Sequence, residues 1–255
     1  MKLIDVISKK YNISKRAAKK YLKSGFVIVN NNRVFKNIDL IEYKSTVIKL
    51  NIKNSSITNI DYEKYIIKKN NNIIFLYKPA FVHTERHRLE EGFTLYDIIY
   101  QKYPNFKLIS RLDYQTDGLI AAINNSFMVY DEEKHYISFV HGIIKDKLLI
   151  NKAIDYKKRK KVKTLDQPGN NITTVIPIKR YSSSTIVKII IKKGLRHQIR
   201  AHLSYIGHSI YGDTQYGIND IAERLMLSCY YVKINNIACY SPYLKNFYTQ
   251  IKELI

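Results

Sequence analysis

Gly194-Leu195-Arg196-His197-Gln198-Ile199-Arg200-Ala201-His202-Leu203, running on through Gly207-His208 and Tyr211-Gly212-Asp213-Thr214-Gln215-Tyr216-Gly217, is the most informative stretch of this 255-residue sequence. Ile199, Leu203 and Ile206 recur at i, i+4 and i+7, the spacing of a helix with one face in a core. Gly207 is placed to end that helix. His197, Arg200 and Ser204 recur at i, i+3 and i+7 and share a neighbouring face. Such a helix carries a fixed guanidinium to the rim of whatever it packs against. A carboxylate on a nearby loop would be its natural partner, held bidentately and kept ionised.

Working outward, strand-like apolar runs recur at 73–77, 118–123, 136–144, 172–178, 184–192 and 226–234, with helical segments at 94–102 and 197–206. Strands and helices mixed without regular βα alternation predict an α+β domain on a largely antiparallel sheet. There is no internal repeat and no phosphate-cradling glycine loop. The catalytic-sized region is expected over 71–255. Residues 54–70 are polar with few apolar anchors and read as a linker.

Residues 1–53 read as a small module of helices and strands. Leu3, Ile4, Val6 and Ile7 form a helical stripe ending near Tyr11-Asn12. Ser14 is a good N-cap for a helix over 15–24 that Gly25 would terminate. On that helix Ala17, Ala18, Tyr21 and Leu22 make an apolar side. Lys15, Arg16, Lys19, Lys20 and Lys23 crowd the rest without an intervening acid, and a polyanion explains such crowding better than water does. Phe26 to Val29, an Asn30-Asn31-Asn32 turn and Arg33-Val34-Phe35 predict a hairpin.

The whole chain carries Lys+Arg 43 against Asp+Glu 21, a net charge of +22. Many Asn, Ile and Tyr residues share AT-rich codons with Lys, so composition bias competes with selection for binding. Distribution decides between them. Residues 1–53 have a net charge of +10, residues 152–163 of +6, and residues 179–200 hold 7 basic and no acidic side chains, leaving the remainder near neutral. Clustered charge points to nucleic acid. No apolar run is long enough to span a bilayer, and Met1-Lys2 opens an amphipathic segment instead of a signal peptide. Cys229 and Cys239 fit two buried free thiols in a reduced cytoplasm. His83 and His87 stand at i, i+4 without a third ligand, so no metal is expected.

Two further segments bear on chemistry. Ser110-Arg111-Leu112-Asp113-Tyr114-Gln115-Thr116-Asp117-Gly118-Leu119 sits between strands, with Gly118 permitting a tight return. Lys134-His135-Tyr136 opens a strand over 136–144.

Arg111-Leu112-Asp113 followed by Thr116 and Gly118-Leu119 resembles the catalytic motif of the RluA family of pseudouridine synthases. The stretch from Gly194 to Leu203, with Gly207-His208, Tyr211-Gly212-Asp213 and Tyr216-Gly217, resembles that family's C-terminal signature. Lys78-Pro79, Lys134 with Tyr136, and Ser241-Pro242 fall in the same order. Residues 1 to about 53 resemble the S-four-type RNA-binding domain found on many RNA-modifying enzymes. Four departures stand out: Ser110 replaces a more usual His or Gly, Asp117 a Ser or Thr, and Ser228 a frequent His, and the stretch from Lys78-Pro79 to His83 is shortened. Were Asp117 close to Asp113, it would oppose the effect of Arg200.

The resemblance implies an enzyme that isomerises uridine to pseudouridine in structured RNA, ribosomal RNA ahead of transfer RNA. Asp113 becomes the essential carboxylate, Arg200 its salt-bridge partner and Tyr136 the ring stacked on the target uracil. Arg111, His197 and Gln198 would contact RNA at the site, and Lys15, Arg16, Lys19, Lys20, Lys23 and Arg33 would contact it from the amino-terminal module. Breaking the base–sugar bond, turning the uracil and rejoining it through carbon needs neither redox nor hydrolytic chemistry, so no cofactor is expected. A monomer is expected. Two rivals remain at this point: a binding or ribosome-assembly factor with decayed chemistry, and a nucleoside or RNA hydrolase, which would need an activated water.

Overall fold

The computed structural model describes residues 2–11, 13–23, 27–30, 32–34, 36–39, 48–50, 61–85, 93–155 and 161–255. These fall into two units, one within residues 2–50 and one within 61–255.

In the first unit α1 (Leu3–Lys10) and α2 (Lys15–Lys23) precede three short strands, β1 (Val27–Val29), β2 (Asn32–Val34) and β3 (Ile48–Leu50). Leu3, Val6 and Ile7 from α1 pack with Ala18, Tyr21 and Leu22 from α2 and with Val27, Val29 and Ile48. The Ala17 N–H donates to Ser14 Oγ at 3.1 Å, as the cap requires. β1 is central and antiparallel to both neighbours. Val29 faces Asn32 across the hairpin, and Asn30 adopts a φ of 47°, a left-handed conformation Asn tolerates better than most residues. Gly25, Phe26, Asn31 and Phe35 lie outside the described residues.

The second unit is built on β4 (Ile66–Lys69), β5 (Ile73–Lys78), α3 (Leu95–Lys102), β6 (Phe106–Leu108), β7 (Asp117–Asn124), β8 (Glu132–His141), β9 (Leu148–Ile150), β10 (Ala153–Asp155), β11 (Lys163–Leu165), β12 (Thr173–Arg180), β13 (Ser184–Ile191), α4 (Gln198–Tyr205), β14 (Leu227–Ile234), β15 (Ile237–Tyr240) and α5 (Leu244–Lys252). A ten-stranded sheet runs β4-β5-β7-β14-β8-β13-β12-β9, with β15 on β14 and β6 on β7. Every pairing in it is antiparallel except β7 with β14. The α+β class with a largely antiparallel sheet is therefore as expected.

β5 and β7 are apolar almost throughout because both of their faces are covered. Phe75, Leu119, Ala121 and Ile123 enter the large core with Phe139, Val187, Ile199, Leu203 and Phe247. The alternate residues Ile74, Leu76, Ile120 and Ala122 meet Leu95, Ile98 and Ile99 of α3 on the other face. Burying each of the Leu, Ile, Val and Phe side chains among them stabilises the fold by roughly 1.5–3 kcal/mol. Thr94 and Asp97 close a capping box at the start of α3. At the head of β7, Gly118 has a φ of +120°. A Cβ there would lie 2.2 Å from the Cys229 carbonyl oxygen, so only glycine permits the β7–β14 approach.

One boundary needs correction. Residues 61–69 lie within the expected linker, yet β4 pairs with β5 and Tyr62, Tyr65 and Ile66 pack against the α3 core. Tyrosines supply the anchors there, and a count of aliphatic residues undervalues them. Residues 51–60 lie outside the described residues.

Candidate active site

Asp113 lies on the loop entering β7, and two braces hold that loop. Leu112 N–H donates to Thr84 Oγ1 at 3.2 Å and Thr84 Oγ1 donates to the Leu112 carbonyl at 3.1 Å. Lys78, fully buried at the end of β5, donates to the carbonyls of Pro79, Val82 and Tyr114 at 2.8, 2.8 and 3.3 Å. Burial pulls its ammonium down to about 7, against the opposing pull of Asp117 and Asp113. Lys78-Pro79 thus fastens the backbone beside Asp113, a role the sequence did not disclose.

Arg200 projects from α4, whose Ile199 and Leu203 are buried as their spacing predicted. Its Nη1 donates to Asp113 Oδ2 at 2.9 Å. Its other edge is clamped: Nε and Nη2 donate to Asp213 Oδ2 and Oδ1 at 2.8 and 2.7 Å, and Nη2 also reaches Gln215 Oε1 at 3.2 Å. Asp213 is itself pinned, its Oδ1 accepting from the N–H groups of Gln215 and Tyr216 at 3.0 Å each. Burial would raise the Asp213 carboxyl, but the Arg200 hydrogen bonds and charge outweigh it and bring it below the ordinary carboxylate range. Burial likewise opposes the guanidinium charge, and Asp213 with Asp113 more than restores it. The Tyr216 ring lies 5.0 Å from the guanidinium carbon. Arg200 is therefore a fixed cation offering one N–H to Asp113, whose side chain remains 28% exposed.

His197 occupies the left-handed turn just ahead of α4, with a φ of 55°. Its Nε2 lies 3.7 Å from Asp113 Oδ1 and its Nδ1 3.0 Å from the Tyr216 hydroxyl. Tyr136, in β8, is 5% exposed and pairs in register with Cys229 of β14. Burial, then the Cys229 thiol, then the charges of Glu132 and Asp113 push its phenol well above the ordinary tyrosine value. Burial also pushes the Cys229 thiol up to about 12, and both cysteines are buried and free. Of the expected trio, Arg200 meets Asp113 directly, while Tyr136 is buried in the sheet, where the Asp113 charge acts on its phenol.

Asp117 does not compete for Arg200. Its Oδ2 accepts from the Tyr77 hydroxyl at 2.9 Å and its Oδ1 faces Arg224 Nη1 at 3.3 Å, a cation the sequence reading did not single out. Arg111 is exposed and pairs loosely with Glu85 at 3.3 Å. Gln198, expected at the RNA surface, is a correction. It is buried, its Oε1 accepts from Leu195 N–H at 3.0 Å and its Nε2 donates to Thr173 Oγ1 at 2.9 Å. The left-handed backbone at His197 sets its side chain apart from the helical progression, and Gln198, the first residue of α4, turns into the core. Lys15, Arg16 and Lys19 are exposed on α2. The side chains of Lys20, Lys23 and Arg33 lie outside the described residues, as does His87. Among the described residues no group of three acidic, His or Cys side chains is placed to hold a metal, and no helix is long and apolar enough to cross a membrane.

A family model described as RNA pseudouridylate synthase matches residues 72–205, more than half of the chain. The chain belongs to the RNA pseudouridylate synthase family. As a member it is an isomerase that converts uridines of RNA to pseudouridine, and the decayed-factor reading is not favoured. An uncharacterized RNA pseudouridine synthase of Helicobacter pylori is 28% identical over 247 residues, covering 91% of this chain and 93% of that protein. Ribosomal large subunit pseudouridine synthase C of Buchnera aphidicola is 35% identical over 132 residues, covering 45% of this synthase and 41% of the relative. In fold, the synthase resembles human RNA pseudouridylate synthase domain containing 1 with a TM-score of 0.55 at 22% identity, over 69% of this chain and 82% of the other.

Proposed function

We propose that this synthase acts on ribosomal RNA in the cytoplasm, as a monomer, with Asp113 as the reacting carboxylate. The observation that carries the reading is Arg200 clamped to Asp213 on one edge while it offers a single N–H to Asp113. A guanidinium so restrained orients a carboxylate without engaging both of its oxygens. The free oxygen can attack the sugar at its anomeric carbon or take the neighbouring proton; either route detaches the base. Tyr136 then supports the loosened uracil, and rejoining through carbon 5 expels the hydrogen there. The target must leave its stack to reach Asp113, at a cost of a few kcal/mol. Arg111, exposed beside Asp113, and the basic stretches offset that cost through phosphate contacts. Residues 1–53 act as an S-four-type RNA-binding module, with Lys15, Arg16 and Lys19 on its exposed helix face.

Ribosomal RNA is favoured by the clustered positive charge and by a relative named as a ribosomal large subunit enzyme. Transfer RNA is the alternative to test; a relative from Vibrio cholerae, 29% identical over 148 residues, is named a dual-specificity RNA pseudouridine synthase. Pseudouridine mapping in total RNA from cells with and without the protein, rescued by the parent chain or by Asp113→Asn, checks both points. Sites lost in ribosomal RNA and restored only by the parent are expected. Loss confined to transfer RNA overturns the substrate assignment, and restoration by Asp113→Asn overturns the catalytic one.

A further inference from the structure

We propose that His197 is a positioning residue for this reaction: as a neutral imidazole protonated at Nε2 it donates toward Oδ1 of Asp113, and a relay from the Val162 N–H through the Tyr216 hydroxyl fixes that tautomer. The proposal rests on the reading of Asp113 as the reacting carboxylate.

Hydrogen-bond polarity supplies the order of the relay. A backbone N–H can only donate, so at 2.7 Å the Tyr216 oxygen accepts from Val162. The hydroxyl keeps one proton to give, and His197 Nδ1 stands 3.0 Å away. Receiving that proton makes Nδ1 the acceptor, and the ring N–H of a neutral imidazole is then on Nε2. The opposite tautomer would turn a bare Nε2 lone pair toward the Asp113 carboxylate and deprive the Tyr216 proton of this acceptor. Burial favours the neutral ring and so do the charges of Arg200 and Arg196, while Asp113 and Asp213 oppose them; the result lies below the ordinary histidine value.

The two oxygens of Asp113 are thereby distinguished. Oδ2 is engaged by Arg200 at 2.9 Å, whereas Oδ1 faces His197 Nε2 at 3.7 Å, beyond an ordinary hydrogen bond. Catalytic hydrogen bonds are commonly long before substrate arrives and tighten in the complex. A neutral donor at that distance can aim Oδ1 at the sugar and leave its electron pair available, which a full cation would not. The left-handed backbone at His197 serves this arrangement: the turn that starts α4, with Ala201 N–H donating to the His197 carbonyl at 2.9 Å, also directs the ring at Asp113.

The test has a spectroscopic and a kinetic arm, both on the full chain. Labelling the histidine ring nitrogens with 15N in the unmodified protein should show Nε2 protonated and Nδ1 bare near neutral pH, and Tyr216→Phe should release a mixture of tautomers. A protonated Nδ1 in the parent overturns the relay. In tritium release from uracil carbon 5 of unmodified ribosomal RNA, His197→Leu should lower kcat about tenfold, the scale of one missing hydrogen bond, with KM little changed. His197→Gln, whose amide nitrogen reaches the place of Nε2, should recover much of that loss. A kcat unchanged in His197→Leu, a loss confined to KM, or a Gln variant no better than Leu overturns the positioning role. Asp113→Asn, run alongside, fails independently: turnover by that variant would sink the catalytic assignment while the nitrogen spectra still report on the relay.

Discussion

Asp113 and Asp117 stand four residues apart, and each faces an arginine from far along the chain, Arg200 in α4 and Arg224 ahead of β14. At Asp117 both side chains are largely sealed, at 12% and 10% exposure, and the contacts are 3.3 and 3.4 Å. Tyr77 and Gln250 satisfy what remains of the two groups. At Asp113 the arginine is equally buried but the carboxylate is not, and the contact is shorter. The same pair of functional groups thus serves as a strut in one place and as an open site in the other. What separates them is a third group. Asp213 saturates the outer edge of Arg200, so Asp113 can change its charge or its partner without leaving a buried cation alone.

That contrast can be broken most sharply at Asp113 itself. Asp113→Asn should reduce tritium release by roughly a thousandfold or more, because it removes the electron pair that attacks or deprotonates. Its melting temperature and RNA affinity should stay near those of the parent, since Arg200 keeps Asp213. Asp117→Asn should do the reverse. Weakening a sealed pair ought to cost about 3–5 kcal/mol in denaturant melts while the folded fraction turns over normally. If Asp117→Asn is stable and inactive, the two roles are exchanged.

Smaller effects sharpen the picture around the pair. Tyr136→Ala should slow turnover by the worth of one stacked base, ~1–3 kcal/mol in activation free energy, and also loosen the core. Tyr136→Phe should retain most activity; if Phe proves as slow as Ala, the phenol takes part in proton transfer. The smallest change is expected farthest from the chemistry. Replacing Arg16 and Lys19 by Gln should reduce the salt dependence of RNA binding by about one unit of slope for each phosphate no longer neutralised, with kcat unaltered. An unchanged slope would remove α2 from the RNA surface.

The sequence disclosed the long elements and their order because their patterns extend over many residues. β5 and β7 read as continuous apolar runs, and α4 as a stripe at helical spacing. Strands of three or four residues, such as β6, β9, β10 and β11, are too short for any period to emerge. α5 was missed although Phe247 and Ile251 are buried four residues apart. At the site, the pairing of Asp113 with Arg200 was legible through motif order. The clamp by Asp213 was not, though Tyr211-Gly212-Asp213 marked the place. There the backbone passes so close to residue 224 that a Cβ on Gly212 would meet the Arg224 carbonyl at 1.9 Å, and a loop carboxylate gives no sign of which cation it will meet. Gln198 came with the resemblance, and the order of a motif does not tell which of its side chains turns inward.

The parallel contact of β7 with β14 has a consequence for how the enzyme comes into being. Strands β4 to β7 and strands β8 to β15 are each built from consecutive chain, and this short pair, Ser228 against Asp117 and Cys229 against Gly118, stitches one group to the other. Asp113 belongs to the early group, whereas Tyr136 and Arg200 belong to the late one. Pairings between remote segments form slowly, after local hairpins have closed. β14 also pairs with β8 across a comparable length of chain, so the local hairpins can form while the chemistry is still absent. In refolding from denaturant, circular dichroism should recover first and tritium release only with the slowest step, so that catalysis itself becomes the reporter of the final closure.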